Sequence, residues 1–243
     1  MNGFWEITRT LATEDVDMNG LWRPSGVFRA MQEAASAQCE PQGLGFDAMR
    51  TQGLAWVLTR ARLSVARMPE IGQTVTVRTW PKPPQHLFFP RFFRFSVDGA
   101  EAGTASALYV QLDTRTRRMA RPWLNGHTEL TCDAEPALPV PGGIPALDAP
   151  ARMLAREAVY SDLDINGHVN NARYLDWLCD CLDGAHHAAW SLQDALIHFS
   201  HEIRPQAQVQ LALRHTDGQS VLQGAVEGTA CFAIGAEWAR RQA

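Results

Sequence analysis

Asp164, Asn166 and His168 stand two residues apart in the stretch SDLDINGHVNN, residues 161–171. A neutral imidazole oriented by a carboxylate passes protons near neutral pH, and an amide N–H adds a donor to a polarised carbonyl. Gly167 marks a turn, and Asn170 or Asn171 is suited to cap a following helix through its side-chain oxygen. The free N–H groups and positive dipole end at a helix start favour an oxygen that becomes negative. Together these are the requirements of acyl transfer to water. The competing reading is a turn whose Asp, Asn and Gly only bend the chain and cap the helix.

The pattern also occurs earlier in the chain. Asp15, Asp17, Asn19 and Gly20 align without a gap with Asp162, Asp164, Asn166 and Gly167, 147 positions further on (162 less 15). Leu21 stands where His168 would be, so the first copy lacks the imidazole. Two related domains are expected, with the chemistry in the second.

The elements that must position these residues follow from periodicity. PSGVFRAMQEAASAQCEPQG starts with Pro24 and Ser25 and stops at Pro41 and Gly43, which predicts a helix. Its small residues Ala30, Ala34, Ala35 and Ala37 allow close approach by another backbone or a slender ligand. In QTVTVRTW, Val75, Val77 and Thr79 alternate with Thr74, Thr76 and Arg78, the period of a half-buried strand. LAWVLTRARLSV, HLFFPRFFRFSV and GTASALYVQLDT also read as strands, the last two joined by DGAEAG, where Asp98-Gly99 signals a hairpin. The aromatic run in HLFFPRFFRF fits a sheet's core or the wall of an acyl tunnel.

Residues 125–150, rich in Pro, Gly and Ala, read as a linker. Beyond them the order repeats: a short strand LAREAVY, the motif, a helix, and four strands. Tyr174, Trp177, Leu178, Cys181 and Leu182 form one apolar stripe at helical spacing. A helix whose apolar face is covered by an antiparallel sheet is an α+β layer, here expected twice, as domains 1–124 and 151–243.

Composition bounds the partners. With 243 residues and 46% apolar content the chain can bury one large core or two modest ones. A net charge of −4 supplies no overall basic field for nucleic acid or an anionic membrane. No apolar run approaches the roughly 20 residues of a membrane span, and MNGFWEITRT lacks a basic stretch followed by an apolar one. Five scattered cysteines, Cys39, Cys132, Cys179, Cys181 and Cys231, fit a reducing cytoplasm. The expectation is a soluble cytoplasmic protein without nucleic-acid or membrane partners.

SDLDINGHVNNARYLDW resembles the signature of the acyl-ACP thioesterases, in which Asp-x-Asn-x-His-Val-Asn-Asn precedes the central helix of a hotdog fold. GLAWVLTRARLSVARMPEIGQTVTVRTWP and LDTRTRRMARP are similar to that family's first-domain strand pair and the basic end of that domain. The resemblance implies two tandem hotdog domains, each a long helix wrapped by an antiparallel β-sheet. The first, 1–124, would help enclose the acyl chain, and the second would catalyse. It implies hydrolysis of fatty acyl-[acyl-carrier-protein] thioesters, with no cofactor or metal expected; the oligomeric state, monomer or homodimer, stays open. The family's motif residues fall on Asp164, Asn166 and His168, and its catalytic glutamate on Glu202 in HFSHEI. The cysteine that often follows that glutamate is Ile203 here, which argues against a cysteine nucleophile and leaves a water attack.

In these roles Glu202, or Asp164 in its stead, would activate water. Asn166 and the helix start would stabilise the oxyanion, and His168 would orient the reactants and protonate the leaving thiolate. Strict alternation along ALIHFSHEI sets Glu202 on the face opposite Ile197, Phe199 and Ile203, so only a bulge or the strand's end brings it to the site. Arg115, Arg117, Arg118 and Arg121 form either a solvated surface or a docking patch for the acidic acyl carrier protein. Cys179 and Cys181, with His186 and His187 nearby, resemble metal ligands, but two helical positions separate side chains by roughly 200 degrees. His198 and His201 fall on opposite faces of a strand, against shared ligation. The alternatives to the main reading are an acyl-CoA thioesterase and a non-catalytic acyl-binding protein on the same fold.

Overall fold

The structure is a computed structural model that describes residues 3–120, 131–132, 134–144, 147 and 152–241. It divides into two compact units, Met1–Trp22 with Arg29–Pro141, and Arg23–Phe28 with Gly142–Ala243. The linker expected at 125–150 is described at residues 131–132, 134–144 and 147, which form no helix or strand, and its other residues lie outside the described ones.

The first unit holds an antiparallel sheet in the order β1 (Trp5–Thr10), β3 (Thr74–Pro81), β4 (Phe89–Val97), β5 (Ala100–Asp113), β2 (Leu54–Val65). The alternation in β3 appears as predicted, with Val75, Val77 and Thr79 buried and Thr74 and Arg78 exposed. Asp98 and Gly99 form the two-residue loop between β4 and β5 with φ of +51° and +81°, the doubly left-handed turn that matches the twist of a hairpin. Phe92, Phe93 and Phe95 are buried, as sheet core. Helix α1 (Pro24–Cys39) buries Ala30, Ala34 and Ala35. A short helix α2 (Phe46–Thr51), which the sequence patterns do not announce, precedes β2.

The second unit carries the sheet β7 (Trp190–Phe199), β10 (Thr229–Arg240), β9 (Gln219–Val226), β8 (Gln208–Thr216), β6 (Arg152–Glu157). Helix α3 spans Arg173–Asp180, only eight residues. It is shorter than the predicted stripe, because Asp183 starts a new helix, α4 (Gly184–Ala189), by accepting the His186 amide on Oδ1 at 2.7 Å. Cys181 and Leu182 lie in the break.

The α3 face is apolar and aromatic. Tyr174 meets the Phe232 ring at 4.5 Å and the Phe199 ring at 5.5 Å, and Trp177 meets Phe232 at 5.9 Å. Phe199 and Phe232 are partners across β7 and β10, so the helix rests on this strand pair. Gly224 on β9 makes the arrangement possible, since a Cβ there would sit 2.0 Å from the Phe232 ring.

At the far end of α3, His186 is buried against His215 and Trp238, both at 4.7 Å between ring centres. Burial, reinforced by the neighbouring His215 and His187, pushes its imidazole down to about 4. The unfolded chain takes up a proton near the ordinary histidine value while the folded chain does not, so protons favour unfolding across that interval. Thermal unfolding midpoints should therefore fall as the pH is lowered from about 6.5 to about 4. The His186→Leu variant should show a flatter profile over that window.

Candidate active site

Residues 163–169 close a compact turn. Asp164 N–H donates to the His168 carbonyl at 3.0 Å, Gly167 N–H donates to the Asp164 carbonyl at 3.0 Å, and Leu163 bridges to Val169. Asp164 Oδ1 accepts the Asn166 amide at 2.8 Å, the side-chain turn expected of this residue pair. Gly167 holds φ +74°, a left-handed conformation open to glycine. Past the turn, Asn170 Oδ1 accepts the Ala172 amide at 2.9 Å and the Asn170 carbonyl accepts the Arg173 amide at 2.9 Å. Asn170, rather than Asn171, thus leads the chain into α3.

The first copy repeats this geometry. Asn19 N–H donates to Asp17 Oδ1 at 2.8 Å, Asp17 N–H to the Leu21 carbonyl at 2.8 Å, and Gly20 takes φ +74°. The difference lies at the oxygen. In the first copy Asp17 Oδ1 also accepts the Leu21 amide at 3.1 Å. In the second, Asp164 Oδ1 lies 3.7 Å from His168 Nδ1. The same nitrogen lies 3.4 Å from the Val169 carbonyl. Both neighbours are acceptors, so the proton belongs on Nδ1 and Nε2 keeps its lone pair. The two side chains are 18% and 28% exposed, within reach of a substrate from solvent. Asn166 is exposed at the tip of the turn.

Glu202 lies beyond the end of its strand. β7 ends at Phe199, and the amides of Ser200 and His201 both turn onto the Cys231 carbonyl, at 2.8 and 3.1 Å. The alternation that set Glu202 aside therefore does not extend to it. The Ile203 carbonyl accepts the Val169 amide at 2.9 Å, which ties the segment after β7 to the end of the turn. Glu202 Oε1 accepts from Arg204 Nη2 at 2.8 Å. Ile203 itself is buried and offers no nucleophile.

Beneath the turn lies a carboxylate absent from the predicted set. Asp162 is fully buried. Its Oδ1 accepts from Arg173 Nε at 3.1 Å and from Trp177 Nε1 at 3.3 Å, with Arg156 Nη2 at 3.6 Å. Its Oδ2 accepts the Val159 amide at 3.1 Å and its carbonyl accepts the Asn170 amide at 2.8 Å. A buried charge without such partners would destabilise the fold by several kcal/mol. The clue in the sequence is the repeat itself, since Arg9 pairs with Asp15 just as Arg156 pairs with Asp162, 147 positions apart. Tyr174, one turn into α3, is pushed far above the ordinary phenol range by burial and by Cys231, Asp164 and Asp162, so its hydroxyl stays protonated.

The other candidates fall out differently. Arg115, Arg117 and Arg118 are exposed on the turn after β5, where Asp113, held below the usual carboxylate range chiefly by the Thr116 amide, organises the bend. Arg121 lies outside the described residues. His187 Nε2 lies 2.9 Å from the Cys179 carbonyl, His198 Nε2 2.7 Å from the Gly142 carbonyl, and His201 Nδ1 2.9 Å from the Ala230 carbonyl. Among the described residues no group of three or more His, Cys, Asp or Glu side chains is arranged to hold a metal ion.

The family models for the acyl-ACP thioesterase N-terminal and C-terminal domains match residues 6–122 and 150–238. The chain belongs to the acyl-ACP thioesterase family. Among curated relatives of this chain, oleoyl-acyl carrier protein thioesterase 1, chloroplastic, of Arabidopsis thaliana is 28% identical over 175 residues, 64% of this chain and 48% of that protein. Dodecanoyl-[acyl-carrier-protein] hydrolase, chloroplastic, of Cinnamomum camphora is 26% identical over 216 residues, 80% of this chain and 55% of that protein. The chain thus spans about half the length of these plant relatives.

Two solved structures share its fold. An acyl-ACP thioesterase from Bacteroides thetaiotaomicron superposes with a TM-score of 0.89 at 21% identity, over 98% of each chain. The 12:0-ACP thioesterase from Umbellularia californica gives 0.88 at 19%, over 99% of each chain. The hotdog fold expected from the motif is therefore present.

Asp164 has a structural and a chemical side that substitution separates. Asp164→Asn keeps the oxygen that accepts the Asn166 amide, so its unfolding free energy should stay within about 0.5 kcal/mol of the parent, whereas Asp164→Ala should lose about 1 kcal/mol. Both should lower thioester turnover by about 100-fold or more. Urea unfolding and thiol release, run side by side, check the pair.

Proposed function

We propose that the protein hydrolyses fatty acyl thioesters carried on acyl carrier protein, releasing free fatty acid and the carrier's thiol. The observation that carries this reading is the turn in which Asp164 faces His168 Nδ1 at 3.7 Å beside the Glu202 segment, in a chain of the acyl-ACP thioesterase family. In the proposed reaction the Glu202 carboxylate, or Asp164 in its place, takes a proton from water as its oxygen attacks the carbonyl carbon. Asn166 and the amides at the start of α3 stabilise the oxygen that becomes negative. The tetrahedral species collapses with cleavage of the C–S bond, and the proton taken from water passes by way of His168 Nε2 to the departing thiolate, which returns the carboxylate and the imidazole to their starting states. Because residue 203 is isoleucine, no thiol there can form an acyl-enzyme, and the water attack is direct.

Arg115, Arg117 and Arg118, exposed together on one turn, are proposed to meet the acidic surface of the carrier, where charge complementarity raises the association rate. The first unit is proposed to enclose the acyl tail. No disulfide joins the five cysteines, which suits a reducing compartment, and a cytoplasmic location is proposed.

Thiol release measured over matched panels of acyl carrier protein and CoA thioesters tests the reaction. Carrier-bound chains should turn over faster, and His168→Ala and Glu202→Gln should each lower kcat by about 100-fold or more while remaining folded. A preference for CoA esters would identify an acyl-CoA thioesterase instead, and saturable binding without turnover would identify an acyl-binding protein. Replacing Arg115, Arg117 and Arg118 together by Glu should raise KM about tenfold for carrier substrates, less so at high salt, and leave kcat within about twofold.

A further inference from the structure

We infer that Arg173 is a positioning residue for the hydrolysis proposed above, holding the catalytic turn against α3 through the buried Asp162. The turn 163–169 has a neck where the Asn170 amide meets the Asp162 carbonyl at 2.8 Å. Asp162 sits on one side of that neck, and its carboxylate is the link from the turn to the helix through Arg173 Nε at 3.1 Å and Trp177 Nε1 at 3.3 Å. Arg173 also forms a second ion pair through Nη1 with Asp176 on its own helix, so its guanidinium is fixed at both ends. Arg156 completes the arrangement from β6, with Nη1 2.7 Å from Asp180 Oδ2 and its guanidinium 4.9 Å above the Trp177 ring.

The repeat separates what the turn needs for folding from what this site adds. The first copy forms the same turn and keeps the strand-side pair, Arg9 with Asp15. At the positions equivalent to Arg173 and Trp177 it has Gly26 and Ala30, which carry no donor side chain. The helix-side donors therefore accompany His168: the copy with the imidazole has them and the copy without it lacks them. A turn that folds without Arg173 in one copy is held by Arg173 in the other, where Asp164 and His168 must stay at a working distance. Displacement of reacting groups by about 1 Å costs a catalyst about 100-fold, so an anchor of this kind acts on rate. Arg173 donates to Asp162 and Asp176 and is not offered to substrate, so its loss should leave binding intact.

The test is steady-state thiol release by the full chain on acyl carrier protein thioesters for wild type, Arg173→Met, Arg173→Lys and, as control, Arg9→Met. Arg173→Met should lower kcat at least tenfold with KM within threefold. Arg173→Lys, which keeps the charge but cannot bridge both carboxylates, should recover part of the loss. Arg9→Met removes the part-buried strand-side pair of the copy without histidine, the counterpart of Arg156 with Asp162, and should keep kcat within twofold. Hydrogen exchange at the Gly167 and Asn170 amides should quicken in Arg173→Met while amides of β9 and β10 stay protected.

An Arg173→Met enzyme with kcat within threefold of wild type would overturn the inference. So would a KM that rises as kcat falls, or an equal loss in Arg9→Met. Should Arg173→Met not fold, Arg173→Lys decides: a full kcat from a folded Lys variant overturns the inference, and a reduced kcat at unchanged KM upholds it. If wild type itself releases no thiol from any thioester, the proposed hydrolysis fails and this inference with it. Turnover by wild type alongside an unaffected Arg173→Met removes only the inference.

Discussion

A carboxylate with no access to water has to be met on every side by protein, and Asp162 is such a group. Asp162 ties together three neighbouring stretches of chain: β6 and the residues just after it through Arg156 and the Val159 amide, the end of the motif turn through its own carbonyl and the Asn170 amide, and α3 through Arg173 and Trp177. The helix in turn rests its Tyr174 and Trp177 rings on Phe232 and Phe199. The position of the turn relative to the sheet is therefore set by one buried charge and one aromatic cluster, and Asp164 and His168 take their places from it.

Much of this fold is legible in the sequence, and for local reasons. Asp98-Gly99 supplies left-handed conformations to two successive residues, and β4 and β5 meet there with no residue to spare. The alternation of Val75, Val77 and Thr79 follows from pleating alone. The apolar stripe of α3 names the face that packs but not the length of the helix, because Asp183 begins α4 before the stripe runs out. Hydrophobic spacing reports burial, and a capping side chain decides where a helix breaks.

The site is legible where its chemistry lies within one turn and obscure where it spans elements. Asp164, Asn166 and His168 belong to a motif whose hydrogen bonds close within a few residues. Glu202 lies past the end of β7 at Phe199, so alternation along the strand does not fix where its side chain points. Asp162, Arg156 and Arg173 look like ordinary surface charges in the sequence. Their meeting depends on long side chains converging from a strand and a helix, which residue spacing does not encode.

The two turns are built from Asp, Asn and Gly, and the imidazole contributes nothing that the first copy lacks for folding. Shape and reactivity are thus separable in this architecture. The hydrogen bonds that close the second turn run through its backbone and Asp164 Oδ1, so position 168 is free to vary without opening the turn.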